Sequence, residues 1–102
     1  MTYVDALSAL SDPTRRQVLE ALRAGPMAVT DIAARLPVSR PAVSQHLKRL
    51  AEAGLVQAEA AGTRRLYSVR REGLEPLRRY LDSYWDDVLV AFRDFAEKED
   101  KS

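Results

Sequence analysis

Between Asp31 and Glu52 the chain carries four basic residues, Arg35, Arg40, Lys48 and Arg49, and not one carboxylate. An exposed helix ordinarily mixes signs to gain i,i+4 ion pairs, so an acid-free basic stretch is the footprint expected of a face that meets a polyanion. Projected as a helix at about 100° per residue, the segment from Arg40 to Ala53 separates into two faces. Leu47 and Leu50 fall within about 40° of Val43 and make a core stripe. Pro41, Ser44, Gln45 and Lys48 fall about 100° to 200° away, with Arg49 beyond them. That outer face has the chemistry of major-groove readout. Arg40 can fork onto guanine O6 and N7, Gln45 onto adenine N6 and N7, and Ser39, Ser44 and Lys48 can hold phosphates. His46, about 60° from Val43, sits on the shoulder and is expected to pack or to hold a phosphate.

A second basic feature follows. Arg64 and Arg65 flank the tip of a Gly-containing hairpin, placed to enter a minor groove or to grip flanking phosphate. Taken alone, either feature also fits an ordinary solvated surface; together and in this order they favour double-stranded DNA as partner. The alternative from another class is a protein-interaction module whose Arg40 to Arg49 face docks on an acidic partner.

Other chemistries find little support. The chain has no Cys and one His, which removes disulfides, thiolate metal sites and thiol nucleophiles. An enzyme would need a nucleophile–base pair, and His46 alone is available as the base for every Ser. No catalytic residue, no metal ligand and no cofactor is therefore expected. Asp82, Asp86 and Asp87 could approach a hard cation, but carboxylates on an exposed helix face read as solvation.

The elements that must position these residues are marked by Gly, Pro and capping residues. Tyr3 to Leu10 reads as a short helix with Tyr3, Leu7 and Leu10 on one face. Ser11-Asp12-Pro13 opens a second helix that stops at Gly25-Pro26. Met27 to Val29 reads as extended, and Thr30 as the cap of a third helix ending at Pro37. Ser39 caps the helix from Arg40, and Gly54 terminates it. Two helices joined through Leu36-Pro37-Val38 make a helix-turn-helix unit. Leu55 to Glu59 and Arg65 to Val69 read as strands joined by Ala60 to Arg64, a wing that Tyr67 and Val69 anchor. After Gly73 a long helix, about residues 74–97, carries Leu74, Leu77, Leu81, Tyr84, Val88, Phe92 and Phe95 at threes and fours.

The 102 residues, 46% hydrophobic and 30% charged, allow one globular domain spanning 1–102. Residues 1–73 hold 11 Lys and Arg against 7 Asp and Glu, a net +4; residues 74–102 hold 5 against 8, a net −3. A polyanion-binding body on an acidic last helix fits that asymmetry. No run approaches the roughly 18 apolar residues of a membrane span, and Asp5 replaces a basic leader, so no membrane association and a cytoplasmic location are expected. The apolar stripe of the last helix is longer than a small body can cover. Leu74, Leu77, Leu81, Tyr84, Trp85, Val88 and Phe92, with Tyr3, Leu7 and Leu10, are the expected interface of a homodimer. Tyr84 and Trp85 could alternatively line a small-molecule pocket.

Four segments together resemble the ArsR family of bacterial winged-helix repressors over nearly the whole chain. They are Ser11-Asp12-Pro13-Thr14-Arg15-Arg16, Ser39 to Lys48, Ala53-Gly54-Leu55-Val56, and the wing from Gly62 to Tyr67. The resemblance implies a mainly α, dimeric winged helix-turn-helix of five helices and a two-stranded wing. It further implies a repressor whose helix from Arg40 to Ala53 reads an inverted-repeat operator, with the wing 60–65 on minor groove or phosphate. Metal-sensing members of that family place Cys near the start of the third helix, or acids and His on the last. Here the first region is Met27-Ala28-Val29-Thr30 and the last helix has no His. The chain is similar to the branch lacking metal-sensing cysteines, and its residues do not name an inducing ligand; an operator-bound sensor of a metal or small molecule stands as the second alternative beside the protein-interaction module.

Overall fold

The computed structural model describes residues 2–100, and the side chains of residues 2–98. Met1, Lys101 and Ser102, the ends of the expected 1–102 domain, lie outside the described residues. The elements run α1 (Tyr3–Ala9), α2 (Pro13–Ala21), a 3-10 turn (Leu22–Ala24), α3 (Val29–Arg35), α4 (Arg40–Glu52), β1 (Val56–Ala61), β2 (Arg64–Val69) and α5 (Arg71–Asp100).

Local chemistry explains most helix starts. Thr2 and Asp5 form a capping box, the Asp5 carboxylate accepting from the Thr2 amide at 3.0 Å. Asp12 accepts from the Arg15 amide at 3.0 Å and Pro13 takes the first position of α2, where a missing N–H costs nothing. Ser39 accepts from the Ala42 amide at 3.3 Å and Pro41 lies in the first turn of α4. The end of α1 is closed from α2. Arg15 Nη1 donates to the Ala9 carbonyl at 3.1 Å, and Arg16 Nη1 to the Leu10 carbonyl at 2.7 Å, so two cations sit on orphan carbonyls at a helix C-terminus.

The core lies where α2, α3, α4 and the root of the wing converge. Val18, Ile32, Val43, Leu47, Leu50 and Leu55 are fully buried there. Val43, Leu47 and Leu50 are the stripe read from helical spacing, and burying each such side chain stabilises by about 1.5 to 3 kcal/mol. α5 leaves this body: its 30 residues span about 45 Å at 1.5 Å per residue. The molecule is accordingly 68 Å long and only 26 Å and 21 Å across.

Three expected boundaries are corrected. Thr30 is not the cap of α3; Ala28 holds that position with no side-chain hydrogen bond, and the helix starts at Val29. The reason lies in the preceding residue. Met27 exchanges backbone bonds of 2.9 and 2.8 Å with Tyr67, so the chain arrives at Ala28 already extended and turns at once into helix.

The wing turn is Gly62-Thr63, two residues instead of the five from Ala60 to Arg64, because Ala61 and Arg64 still pair. Gly62 has φ +64° and Thr63 does not share the positive sign, the pattern of a type II′ turn with Gly first. The wing of 60–65 is thus the outer end of both strands plus this tip.

The long helix begins at Arg71, not after Gly73. Gly73 is no helix breaker. A β-carbon there would overlap the Gly54 carbonyl oxygen, so glycine lets the first turn of α5 lie against the end of α4.

Candidate nucleic-acid interface

α4 buries one face completely and presents the other. Ser39, Arg40, Pro41, Ser44, Gln45, Lys48 and Arg49 are exposed, and His46 is half-buried. Among the described residues, Arg40, Lys48 and Arg49 enter no ion pair, so their charges are available to a ligand. Arg35, on the same acid-free stretch, is likewise exposed at the end of α3.

The hairpin stands beside this face because β1 continues directly from α4 through the Gly54 turn, φ +77°, and β2 is bridged back to Met27. A groove runs between α4 and the wing, lined by Ser44, Lys48, Glu52, Ala58, Arg65 and Tyr67. The Arg65 guanidinium carbon lies 5.9 Å from the Tyr67 ring centroid, which braces the cation over the groove wall. Lys48 and Arg65 are therefore the cations of one trough, with α4 as one bank and the wing as the other.

The structure does not gather every expected residue there. Arg49 lies outside the groove, in a cleft with Asp5, Ser8, Arg15 and Glu52. His46 faces the start of α2. The Asp12 carboxyl is held below the usual carboxylate range, chiefly by the Arg15 amide it accepts from, and the neighbouring His46 contributes in the same direction. Arg64 turns away from the groove and pairs with Asp31 on α3. Spacing could not have shown this, since the partners stand 33 residues apart.

Of the expected interface residues, Leu10, Leu74 and Leu77 pack partly against the chain's own core. Tyr3, Leu7, Leu81, Tyr84, Trp85, Val88 and Phe92 remain exposed, Phe92 at 69%. Tyr80, which sequence reasoning passed over, stacks on Tyr3 and joins α1 to α5. The signal available was its place one residue before Leu81, on the edge of the apolar stripe.

Helix-turn-helix, adjoining hairpin and long terminal helix define a winged helix-turn-helix protein. The model of the arsR family of bacterial regulatory proteins matches residues 12–58. The HTH-type transcriptional regulator Rv2034 of Mycobacterium tuberculosis is 49% identical over 94 residues, 92% of this chain and 88% of that protein. The transcriptional repressor SdpR of Bacillus subtilis is 35% identical over 71 residues, 70% of this chain and 79% of that protein. Among solved structures, a homodimeric winged helix-turn-helix DNA-binding domain from Mycobacterium bovis superposes with a TM-score of 0.66 at 30% identity, covering 82% of this chain and 78% of that one. The chain belongs to the arsR family of bacterial regulatory proteins.

No helix among the described residues is long and apolar enough to cross a membrane, and no three of their His, Asp or Glu side chains cluster as metal ligands.

Proposed function

We propose that the protein is a homodimeric transcriptional repressor that binds an inverted-repeat operator in double-stranded DNA. The single observation that carries the reading is the exposed basic face of α4, free of acids from Arg40 to Arg49, facing Arg65 across a groove whose lining holds one carboxylate, Glu52. A helix fits the major groove, and its N-terminal residues reach base edges in helix-turn-helix docking. Arg40, Pro41, Ser44 and Gln45 occupy that end, with Ser39 and Lys48 on phosphates. Arg65 then lies along the flanking backbone or minor groove. Relatives named as a repressor and as a homodimeric DNA-binding domain support the same reading. Such a protein works in the bacterial cytoplasm, where the chromosome is, and the reading assigns it no reaction.

The second copy follows from α5. Leu81, Tyr84, Trp85, Val88 and Phe92, 41% to 69% exposed, form a stripe that the chain's own body leaves uncovered. A two-fold partner on that stripe and on Tyr3 and Leu7 of α1 presents two α4 helices to half-sites about one helical turn apart.

The test is selection of bound duplexes from a random pool, followed by affinity measurement on the winner. An enriched inverted repeat, bound much more weakly by Leu81→Asp with Val88→Asp, is expected. A pool without enrichment, together with tight capture of acidic polypeptide on the α4 face, would replace this reading with that of a protein-docking module.

A further inference from the structure

The two wing arginines do not act as a pair. Successive side chains of a strand leave opposite faces. Arg65 joins Tyr67 on the groove, whereas Nη2 of Arg64 donates to the Asp31 carboxylate on α3. The juxtaposition is built into the fold. The backbone bridge between Met27 and Tyr67 ties β2 to the segment leading into α3, three residues along β2 from Arg64 and four residues before Asp31. Asp31 is also the carboxylate that bounds the acid-free stretch. Both side chains stay half-exposed, 55% and 51%, and so exposed an ion pair adds little stability. A phosphate can compete for the same guanidinium.

We propose that Asp31 is an internal stand-in for phosphate that occupies Arg64 until α4 is seated, and so lowers affinity for DNA, for the operator at least as much as for bulk duplex because there the pair must be broken. The proposal rests on the DNA-binding reading above. Non-specific binding consists almost wholly of phosphate neutralisation, so a cation withheld from it lowers background affinity directly. In a loosely docked complex Arg64 stays on Asp31. In the operator complex the base contacts of α4 bring the backbone close, and a phosphate takes the carboxylate's place. Asp31 thus acts through Arg64 as an affinity-setting residue without touching DNA.

The experiment compares wild type, Asp31→Asn, Arg64→Ala and the double variant on the selected operator and on random duplex between 50 and 200 mM salt, and on a heparin column as a polyanion of unrelated structure. Asp31→Asn is expected to bind random duplex several-fold tighter, with a log–log salt slope steeper by about 0.9, the value of one phosphate contact. Its operator affinity rises at least as much, because no pair has to be broken, and the operator slope is unchanged. The gain disappears in the double variant. Arg64→Ala in the wild-type background weakens operator binding and leaves random duplex nearly unaffected, a result that holds even if Asp31→Asn folds poorly. Random-duplex affinity and slope at wild-type values in Asp31→Asn, or a gain that survives without Arg64, overturns the proposal. Should no variant bind any duplex, the DNA reading fails; later elution of Asp31→Asn from heparin, abolished by Arg64→Ala, would still uphold the hold of Asp31 on Arg64, and identical elution would refute it.

Discussion

The ring of Tyr3 lies flat on the ring of Tyr80, with centroids 4.2 Å apart and planes 3° apart. The first helix is thereby fastened to the last within one chain, and both helices carry exposed apolar residues, Tyr3, Val4 and Leu7 on α1 and Leu81, Tyr84, Trp85, Val88 and Phe92 on α5. A short helix of seven residues has little stability of its own, so α1 depends on this contact and on the capping box at Thr2.

Loss of that stack is expected to loosen α1 and weaken self-association together. Tyr80→Ala removes an aromatic pair worth about 0.5 to 1.5 kcal/mol beyond its buried area. Urea denaturation should show a loss of at least that size, and sedimentation equilibrium a shift toward monomer. An unchanged dimer constant would mean that α1 keeps its place without the stack.

Base reading and phosphate holding should separate by residue. Arg40→Ala and Gln45→Ala are expected to relax sequence preference, each by about 1 to 3 kcal/mol of discrimination. Arg65→Ala, on the far bank of the groove, should instead weaken operator and random duplex alike and flatten the salt slope by about 0.9. Competition binding against single-base operator variants at two salt concentrations checks both outcomes.

Gly73 gives a test in which local and tertiary physics predict opposite signs. Gly73 lies in the first turn of α5, and replacing Gly by Ala inside a helix ordinarily stabilises by roughly 1 kcal/mol. Here the new β-carbon meets the Gly54 carbonyl, so Gly73→Ala should destabilise by about 1 to 3 kcal/mol, the usual range for forced overpacking. Thermal unfolding decides it: a raised Tm would show that the α4–α5 junction yields without loss.

Acid sensitivity follows from the caps. The carboxyls of Asp5 and Asp12 are held below the usual carboxylate range, chiefly by hydrogen bonds from the backbone amides of Thr2 and Arg15. A folded-state pKa below the unfolded one contributes stability that is complete above the unfolded value and is lost as pH falls through the folded value. Stability should therefore hold above about pH 5 and decline below about pH 4. Asp12→Asn keeps a capping side chain without the charge, so its decline should be shallower. Equal acid limbs for wild type and variant, followed by circular dichroism, would rule Asp12 out as a source.

How much of this was legible in the sequence divides by distance along the chain. Asp12 and Ser39 each cap an amide three residues away, and Val43, Leu47 and Leu50 share a face because 3.6 residues make a turn. Such relations depend only on neighbours, so the helices, the outward face of α4 and the bare stripe of α5 could be read before any fold was known. Boundary errors arose where a distant contact overrode the local signal. The Met27–Tyr67 bridge set the start of α3, and the Gly54–Gly73 approach let α5 begin before its glycine.

The amino-acid sequence by itself determined the kind and order of the elements and which face of α4 is basic, because periodicity and capping act over one or two turns. Tertiary structure alone decided which of two adjacent arginines meets the groove. Pleating sends Arg64 and Arg65 to opposite faces of β2, and only the folding of the wing onto α3 brings the carboxylate of Asp31, 33 residues away, to one of them.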